Sequence, residues 1–249
     1  MAGRVALVTG AASGMGRATA RLLATEGAAV AVTDLDEAAV AAVVDAIVAG
    51  GGRAAGWALD VTDAAAVTRV VGEVREALGP VDILVNNAGV SIPAPVTGDG
   101  YEDAWVATFD VNLTGHVRLL RACLPDLTRN GDGRVVNVAS TEALGATAGL
   151  SPYTASKHGV VGLTRALAVE LGATGVTVNC VCPGPINTGM TAAIPDDMKA
   201  KYARRRVPLR RYGEPEEVAH ATLGLVLPAM SYVNGAVLVV DGGMTAQNT

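Results

Sequence analysis

Half of the 249 residues are apolar yet only 3% are aromatic, so Ala, Val and Leu must fill the interior, a composition that suits helices packed closely on a sheet. A formal charge of −5 with acidic and basic residues interspersed offers no continuous positive surface, which sets nucleic acid aside as a partner. Cys123, Cys180 and Cys182 make neither a disulfide framework nor a C-x-x-C pair, the three histidines lack ligand spacing, and no apolar run reaches bilayer length, so we expect no metal, no membrane contact and a cytoplasmic setting.

Arg4 to Thr9 is an apolar run closed by glycine and reads as a buried strand. It enters TGAASGMG, where Gly10, Gly14 and Gly16 suit a tight strand-to-helix turn whose N–H groups can approach a pyrophosphate, and a helix then runs to Gly27. The next strand, Ala28 to Asp34, ends in a carboxylate eighteen residues past Gly16, where an adenosine ribose would be held. That charge opposes a 2′-phosphate, and Ser13 stands where a basic residue could have compensated, so NAD is preferred over NADP. The plainer role for Asp34 is a cap on the helix starting near Asp36.

Helical periodicity covers Glu37 to Ala49, RAAGWALD closes on Asp60, and Thr62 and Asp63 can cap a helix running to Leu78. Asp60 suits either an adenine amino group or a loop bond. Val81 to Val90 is a β-branched strand ending in Asn86, Asn87, Ala88 and Gly89; these amides either face a ligand or pin the strand to its neighbours. Within the helical region Tyr101 to Asn130, Asn112, Thr114 and Gly115 predict a local distortion, with His116 one turn beyond Asn112.

GRVVNVAS ends a strand at Ser140, and a loop, Thr141 to Leu150, leads to SPYTASKHG. Ser151 reads there as an N-cap and Pro152 as the first helical residue, which stacks Tyr153 and Lys157 on one face. A tyrosine with a pKa of about 10 is a poor base at neutral pH, but an adjacent ammonium favours the phenolate, so the pair can exchange a proton with a hydroxyl or carbonyl. Alone, Y-x-x-x-K is equally the pattern of an ordinary amphipathic helix.

Val176 to Gly184 is the next strand, with Cys180 and Cys182 on one side as small buried hydrophobes. An irregular stretch, 189–207, is long enough to be a substrate lid. The basic run Arg204 to Arg211 faces the acidic EPEEV, either as a salt-bridged surface or as a contact for an anionic substrate tail. With Gly235 to Gly243 as a last strand, seven strands alternate with helices without linker or repeat, which means one α/β domain over residues 1–249.

Thr9-Gly10-x-x-x-Gly14-x-Gly16, Asn86-Asn87-Ala88-Gly89, Asn112, Ser140 followed at thirteen residues by Tyr153, Lys157, Pro183-Gly184 and Asp241-Gly242-Gly243 together resemble the short-chain dehydrogenase/reductase family, almost end to end. The resemblance implies a single Rossmann-type, doubly wound domain with a seven-stranded parallel sheet, assembled as a homotetramer, that passes hydride between NAD(H) and a small secondary alcohol or ketone. It implies that Tyr153 is the general acid/base, that Lys157 lowers its pKa and holds the nicotinamide ribose, that Ser140 bonds the substrate oxygen, and that Asn112 keeps a water-mediated proton relay in place. To the cofactor it assigns Gly10, Ser13, Gly14, Met15, Gly16, Asp34, Asp60, Val61, Asn87, Ala88, Gly89, Pro183, Gly184 and Ile186 beside Tyr153 and Lys157, with Thr188 at the nicotinamide carboxamide.

Within the family the chain is most similar to bacterial oxidoreductases that include 3-oxoacyl-carrier-protein reductases and secondary-alcohol dehydrogenases. Carrier reductases prefer NADPH and present basic residues to an acidic carrier; Asp34 and the uncharged Gly172 to Gly175 pull away from that reading, and Arg129 keeps it open. Glu142, two residues past Ser140, would recognise a substrate hydroxyl or amine if it points inward. A nucleotide-binding regulator that has lost the chemistry is the reading from another class, opposed by the intact Asn112, Ser140, Tyr153 and Lys157.

Overall fold

Val5–Thr9 (β1) is buried at every residue, as a strand covered on both faces must be. In the computed structural model, which describes residues 1–247, it lies inside an all-parallel sheet with Ala29–Asp34 (β2), Arg53–Ala58 (β3), Ile83–Asn86 (β4), Arg134–Val138 (β5), Thr177–Pro183 (β6) and Val237–Val240 (β7). The order is β3-β2-β1-β4-β5-β6-β7, the seven-stranded, doubly wound sheet that the sequence predicts. The connecting helices are Gly14–Thr25 (α1), Glu37–Ala49 (α2), Ala64–Ala77 (α3), Tyr101–Phe109 (α4), Gly115–Thr128 (α5), Ser151–Leu171 (α6), Asp196–Arg206 (α7) and Pro215–Val226 (α8).

Alternation along the strands sorts the core into two layers. Val5, Leu7, Ala31, Leu84 and Val135 face α3, α5 and α6 through Val67, Val70, Leu119, Leu127, Ala168 and Leu171. Ala6, Val8, Val30, Ile83 and Val136 face α1, α2 and α8 through Leu23, Val40 and Leu225. Because β2 and β4 flank β1 on opposite sides, the chain leaves the sheet in opposite directions there and opens a crevice at the carboxyl ends of the strands.

Of the two expected caps for α3, Asp63 serves, accepting from the N–H groups of Ala65 (2.8 Å) and Ala66 (3.0 Å). Other local expectations are corrected. Asp36 caps α2 by accepting from Ala39 N, so Asp34 is free of that duty. Helix α6 starts at Ser151, with Leu150 in the cap position, and the Ser151 hydroxyl instead pairs with that of Tyr101 at 3.0 Å. The stretch 189–207 is not irregular: a 3-10 turn, Gly189–Thr191, leads into α7. Helix α7 buries only Ala203, so no apolar stripe announces it; Asp196 and Asp197 in its first turn and Arg204, Arg205 and Arg206 in its last complement its dipole.

The predicted distortion in the long helix is present as a π-turn over Asp110–Thr114, where the N–H of Gly115 reaches back five residues to Asp110 O. Cys180 and Cys182 are both fully buried, their sulfurs 3.9 Å apart. Among the described residues no helix is long and apolar enough to cross a membrane.

Candidate active site

The Gly-rich turn after β1 is tied to the end of β2 by two bonds, Ala11 N to Thr33 O and Ala12 N to a carboxylate oxygen of Asp34, each 3.0 Å. Gly10 has φ +62°, and a β-carbon on Gly16 would collide with the Gly10 carbonyl, so helix α1 can begin this close to the strand only with glycine at both positions. Ser13, in the cap position, makes no side-chain cap bond, which leaves the first N–H groups of α1 open to an anion.

Asn87 closes the turn from the other side. Its amide donates to Thr9 O (2.9 Å) and Gly10 O (3.1 Å), while the Thr9 hydroxyl accepts from the N–H groups of Asn87 and Ala88. Asn86 turns away and joins β4 to β5 through Asn137, which in turn donates to Thr164 of α6. The strand-end amides thus divide: Asn86 pins the sheet, and Asn87 pins the turn at the cleft. Asp60 takes a loop bond, accepting from the N–H and hydroxyl of Thr62.

A cleft of about 410 Å³ runs along these strand ends. Gly10, Ser13, Gly14, Met15, Asp34, Asp60, Val61, Asn87, Ala88, Gly89, Pro183, Gly184, Ile186 and Thr188 line it together with Ser140, Tyr153 and Lys157, while Gly16 lies buried beneath the turn and Asn112 behind the wall. Sequence reading missed lining residues such as Leu35, Val90, Met190 and Thr191. Leu35 left a signal, an apolar residue 70% exposed directly after the strand-ending acid. A dinucleotide fits this lining: glycines floor it where a pyrophosphate would meet N–H groups, and Asp34 stands at the ribose end.

At the other end of the cleft, Ser140 follows β5 and its oxygen accepts from Glu142 N at 3.1 Å. Tyr153 and Lys157 project from α6; the ammonium donates to Val138 O at 2.8 Å and lies 5.7 Å from the centre of the phenol ring. Asn112 is fully buried on the π-turn, where its side chain accepts from Val90 N (2.8 Å) and donates to Val90 O (2.9 Å) and to the Ser156 hydroxyl (3.1 Å). A β-carbon on Gly89 would lie 3.3 Å from the Asn112 side-chain oxygen and 3.4 Å from the Lys157 ammonium, so glycine here leaves both groups their space.

The electrostatics differ from the sequence expectation. Burial raises the Tyr153 phenol above its usual pKa; the Ser140 hydroxyl favours its ionised form, and the charge of Glu142 opposes it. Burial also pulls Lys157 down to about 8. His116 is buried with neither ring nitrogen bonded among the described residues, and burial, followed by the charge of Lys157, holds it neutral with a pKa of about 3. Arg129, which kept a carrier-protein reading open, forms an ion pair with Asp82 at the amino end of β4, across the sheet from the cleft.

A family model described as "Enoyl-(Acyl carrier protein) reductase" matches residues 10–245. The chain is 43% identical over 240 residues to (2S)-[(R)-hydroxy(phenyl)methyl]succinyl-CoA dehydrogenase subunit BbsD of Thauera aromatica, covering 96% of each chain. It is 39% identical over 242 residues to the 3-oxoacyl-[acyl-carrier-protein] reductase FabG of Thermotoga maritima, covering 97% of this chain and 98% of that one. The solved structure of a putative NAD(P)-dependent gluconate 5-dehydrogenase from Beutenbergia cavernae with bound NADP superposes with a TM-score of 0.93 at 39% identity, over 99% of this chain and 98% of that one. Sequence and fold thus agree from end to end, and the chain belongs to the short-chain dehydrogenase/reductase family, NAD(P)-linked oxidoreductases of alcohol and ketone groups.

Proposed function

We propose that this protein interconverts a secondary alcohol and its ketone with NAD(H), Tyr153 serving as general acid/base. The observation that supports the reading best is one cleft bordered by Ser140, Tyr153 and Lys157 at one end and by the Asp34 carboxylate at the other. When bound, the nicotinamide nucleotide supplies or accepts the hydride at the carbinol carbon. Gly10, Gly14 and the start of α1 would hold its pyrophosphate, Asp34 its adenosine ribose, and Thr188 the carboxamide end.

The chain's own residues manage the proton. Ser140 and Tyr153 present two hydroxyls to one substrate oxygen; the phenol gives its proton to that oxygen in reduction and takes it back in oxidation. Burial keeps the resting phenol protonated, and the Lys157 ammonium stabilises negative charge when it forms. Asn112 fixes the backbone of Val90 against α6, which holds the wall behind the lysine. Tyr153→Phe is expected to abolish turnover of a panel of aryl and cyclic secondary alcohols while NADH binding, followed by fluorescence titration, stays intact. Turnover at the native level would overturn the assignment.

A second reading, NADPH-linked reduction of 3-oxoacyl thioesters, draws on one feature. Arg204, Arg205, Arg206 and Arg210 are all exposed and have no ion-pair partner among the described residues, an opening for an anionic carrier. The paired Arg129 and the carboxylate of Asp34 weigh against it. A cytoplasmic homotetramer completes the proposal, with Val106 on α4 and Val169 on α6, 64% and 85% exposed, as apolar positions that further copies would cover.

A further inference from the structure

Glu142 does not reach toward a substrate, because its carboxylate is already occupied. One oxygen accepts from the Thr147 hydroxyl at 2.6 Å; the other accepts from Thr147 N at 3.0 Å and from the Thr154 hydroxyl at 2.7 Å. Its own N–H donates to the Ser140 oxygen. One residue therefore joins three parts: the serine at the end of β5, the exposed loop that follows, and α6 at the residue next to Tyr153. Beyond residues 141–143, where buried Ala143 packs with Val160 and Val161 of α6, the loop's other bonds are local turns, Thr154 N to Leu150 O at the helix start and Ala94 N to Gly149 O. A charged acceptor with three donors is a stronger fastening than these neutral bonds.

We propose that Glu142 is a positioning residue: its carboxylate clamps the 141–150 loop onto α6 and so holds the Ser140 hydroxyl and the Tyr153 phenol in one geometry toward the substrate oxygen. The proposal rests on the roles given above to Ser140 and Tyr153. A second consequence is electrostatic. The groups that face Tyr153 are Ser140 from the end of β5, Glu142 from the loop, Lys157 on its own helix and Cys182 on β6. Of these, Glu142 brings the fixed negative charge, which disfavours the phenolate, so removing that charge moves the alkaline rise of alcohol oxidation to lower pH.

Three variants of the full chain separate the clamp from the charge. Glu142→Ala removes both; Glu142→Gln keeps an acceptor for Thr147 N and the Thr154 hydroxyl and can donate to the Thr147 hydroxyl, so it loses the charge alone; Thr154→Val releases the helix end and leaves the charge. The probe is 1-phenylethanol or cyclohexanol, whichever the native enzyme oxidises with NAD, with hydrogen exchange of the 144–150 segment as a readout that needs no turnover. Glu142→Ala should lower kcat by about 10- to 100-fold, as small misplacements of reacting groups do, with faster exchange and unchanged NADH binding. Glu142→Gln should restore most of kcat and retain the shifted pH profile, while Thr154→Val should speed exchange and lower kcat without moving the profile.

Native kcat in Glu142→Ala would overturn the proposal whether exchange quickens or not. A loss of kcat with unchanged exchange would also overturn it, since Glu142 would then act on the substrate directly. If the native enzyme oxidises neither alcohol, the functional reading fails on its own account, and unchanged exchange in Glu142→Ala and Thr154→Val would still refute the clamp.

Discussion

Lys157 keeps its ammonium where only 3% of the residue is exposed, with one bond to Val138 O and no ion-pair partner among the described residues. Burial lowers its pKa from 10.5 to about 8, so the folded chain binds this proton less tightly than the unfolded chain. Below about pH 8 both states are protonated and the full cost of the buried charge is present; between about 8 and 10.5 only the unfolded state holds the proton, and stability climbs with pH. The cost is on the order of 3 kcal/mol. Lys157→Met removes it and leaves Val138 O without a donor, a loss of roughly 1 kcal/mol, so the variant is expected to be the more stable protein at pH 7. Its advantage should shrink across the alkaline window in guanidinium denaturation run at a series of pH values, and a difference independent of pH would refute the buried charge. The spacing of Tyr153 and Lys157 is legible in the sequence, but the direction of the phenol's shift is not, because it comes from packing of α6 on the sheet rather than from a neighbour along the helix. Glu142 is hidden for the same reason: its partners Thr147 and Thr154 reach it only once the loop folds back.

The π-turn between α4 and α5 shows how far composition reaches at the scale of an element. Asn112, Thr114 and Gly115 signal that the helix cannot run on undisturbed, yet nothing in their order says that the ladder widens to a five-residue step or that Asn112 turns toward Val90. That side chain satisfies both backbone groups of Val90 and the Ser156 hydroxyl, so Asn112→Ala orphans buried donors and acceptors. It is expected to cost about 2 kcal/mol or more in urea unfolding and to lower kcat, with little change in the affinity for NADH. Unchanged stability would mean that water replaces the side chain and that the turn holds itself. Helix α7 shows the converse. Pro195, the paired aspartates and the three arginines mark its ends in capping chemistry, but with only Ala203 buried it has no apolar period to detect.

Across the whole molecule, the β-branched runs and the acids and amides that close them already imply a parallel sheet with a ligand crevice at its carboxyl edge, and the strand order places the crevice beside β1. Charge distribution is less legible: the basic run Arg204 to Arg211 is plain in the sequence, but which of its members are paired is not. Arg211 is neutralised by a two-bond pairing with Glu217, whereas Arg204, Arg205 and Arg206 have no ion-pair partner among the described residues and lie at the end of a helix that begins just past the cleft residue Thr191. If they serve mainly the helix dipole, Arg204→Ala/Arg205→Ala/Arg206→Ala should keep KM for a neutral secondary alcohol within about twofold, for a loss of a few tenths of a kcal/mol in stability per charge. A rise of about tenfold in that KM would put the arginines in the pocket, since each decade is about 1.4 kcal/mol of lost contact. A rise of that size confined to acetoacetyl-CoA, matched by a salt-sensitive KM in the native enzyme and a flat one in the variant, would instead assign the patch to an anionic carrier and turn the substrate reading from free alcohols to thioesters.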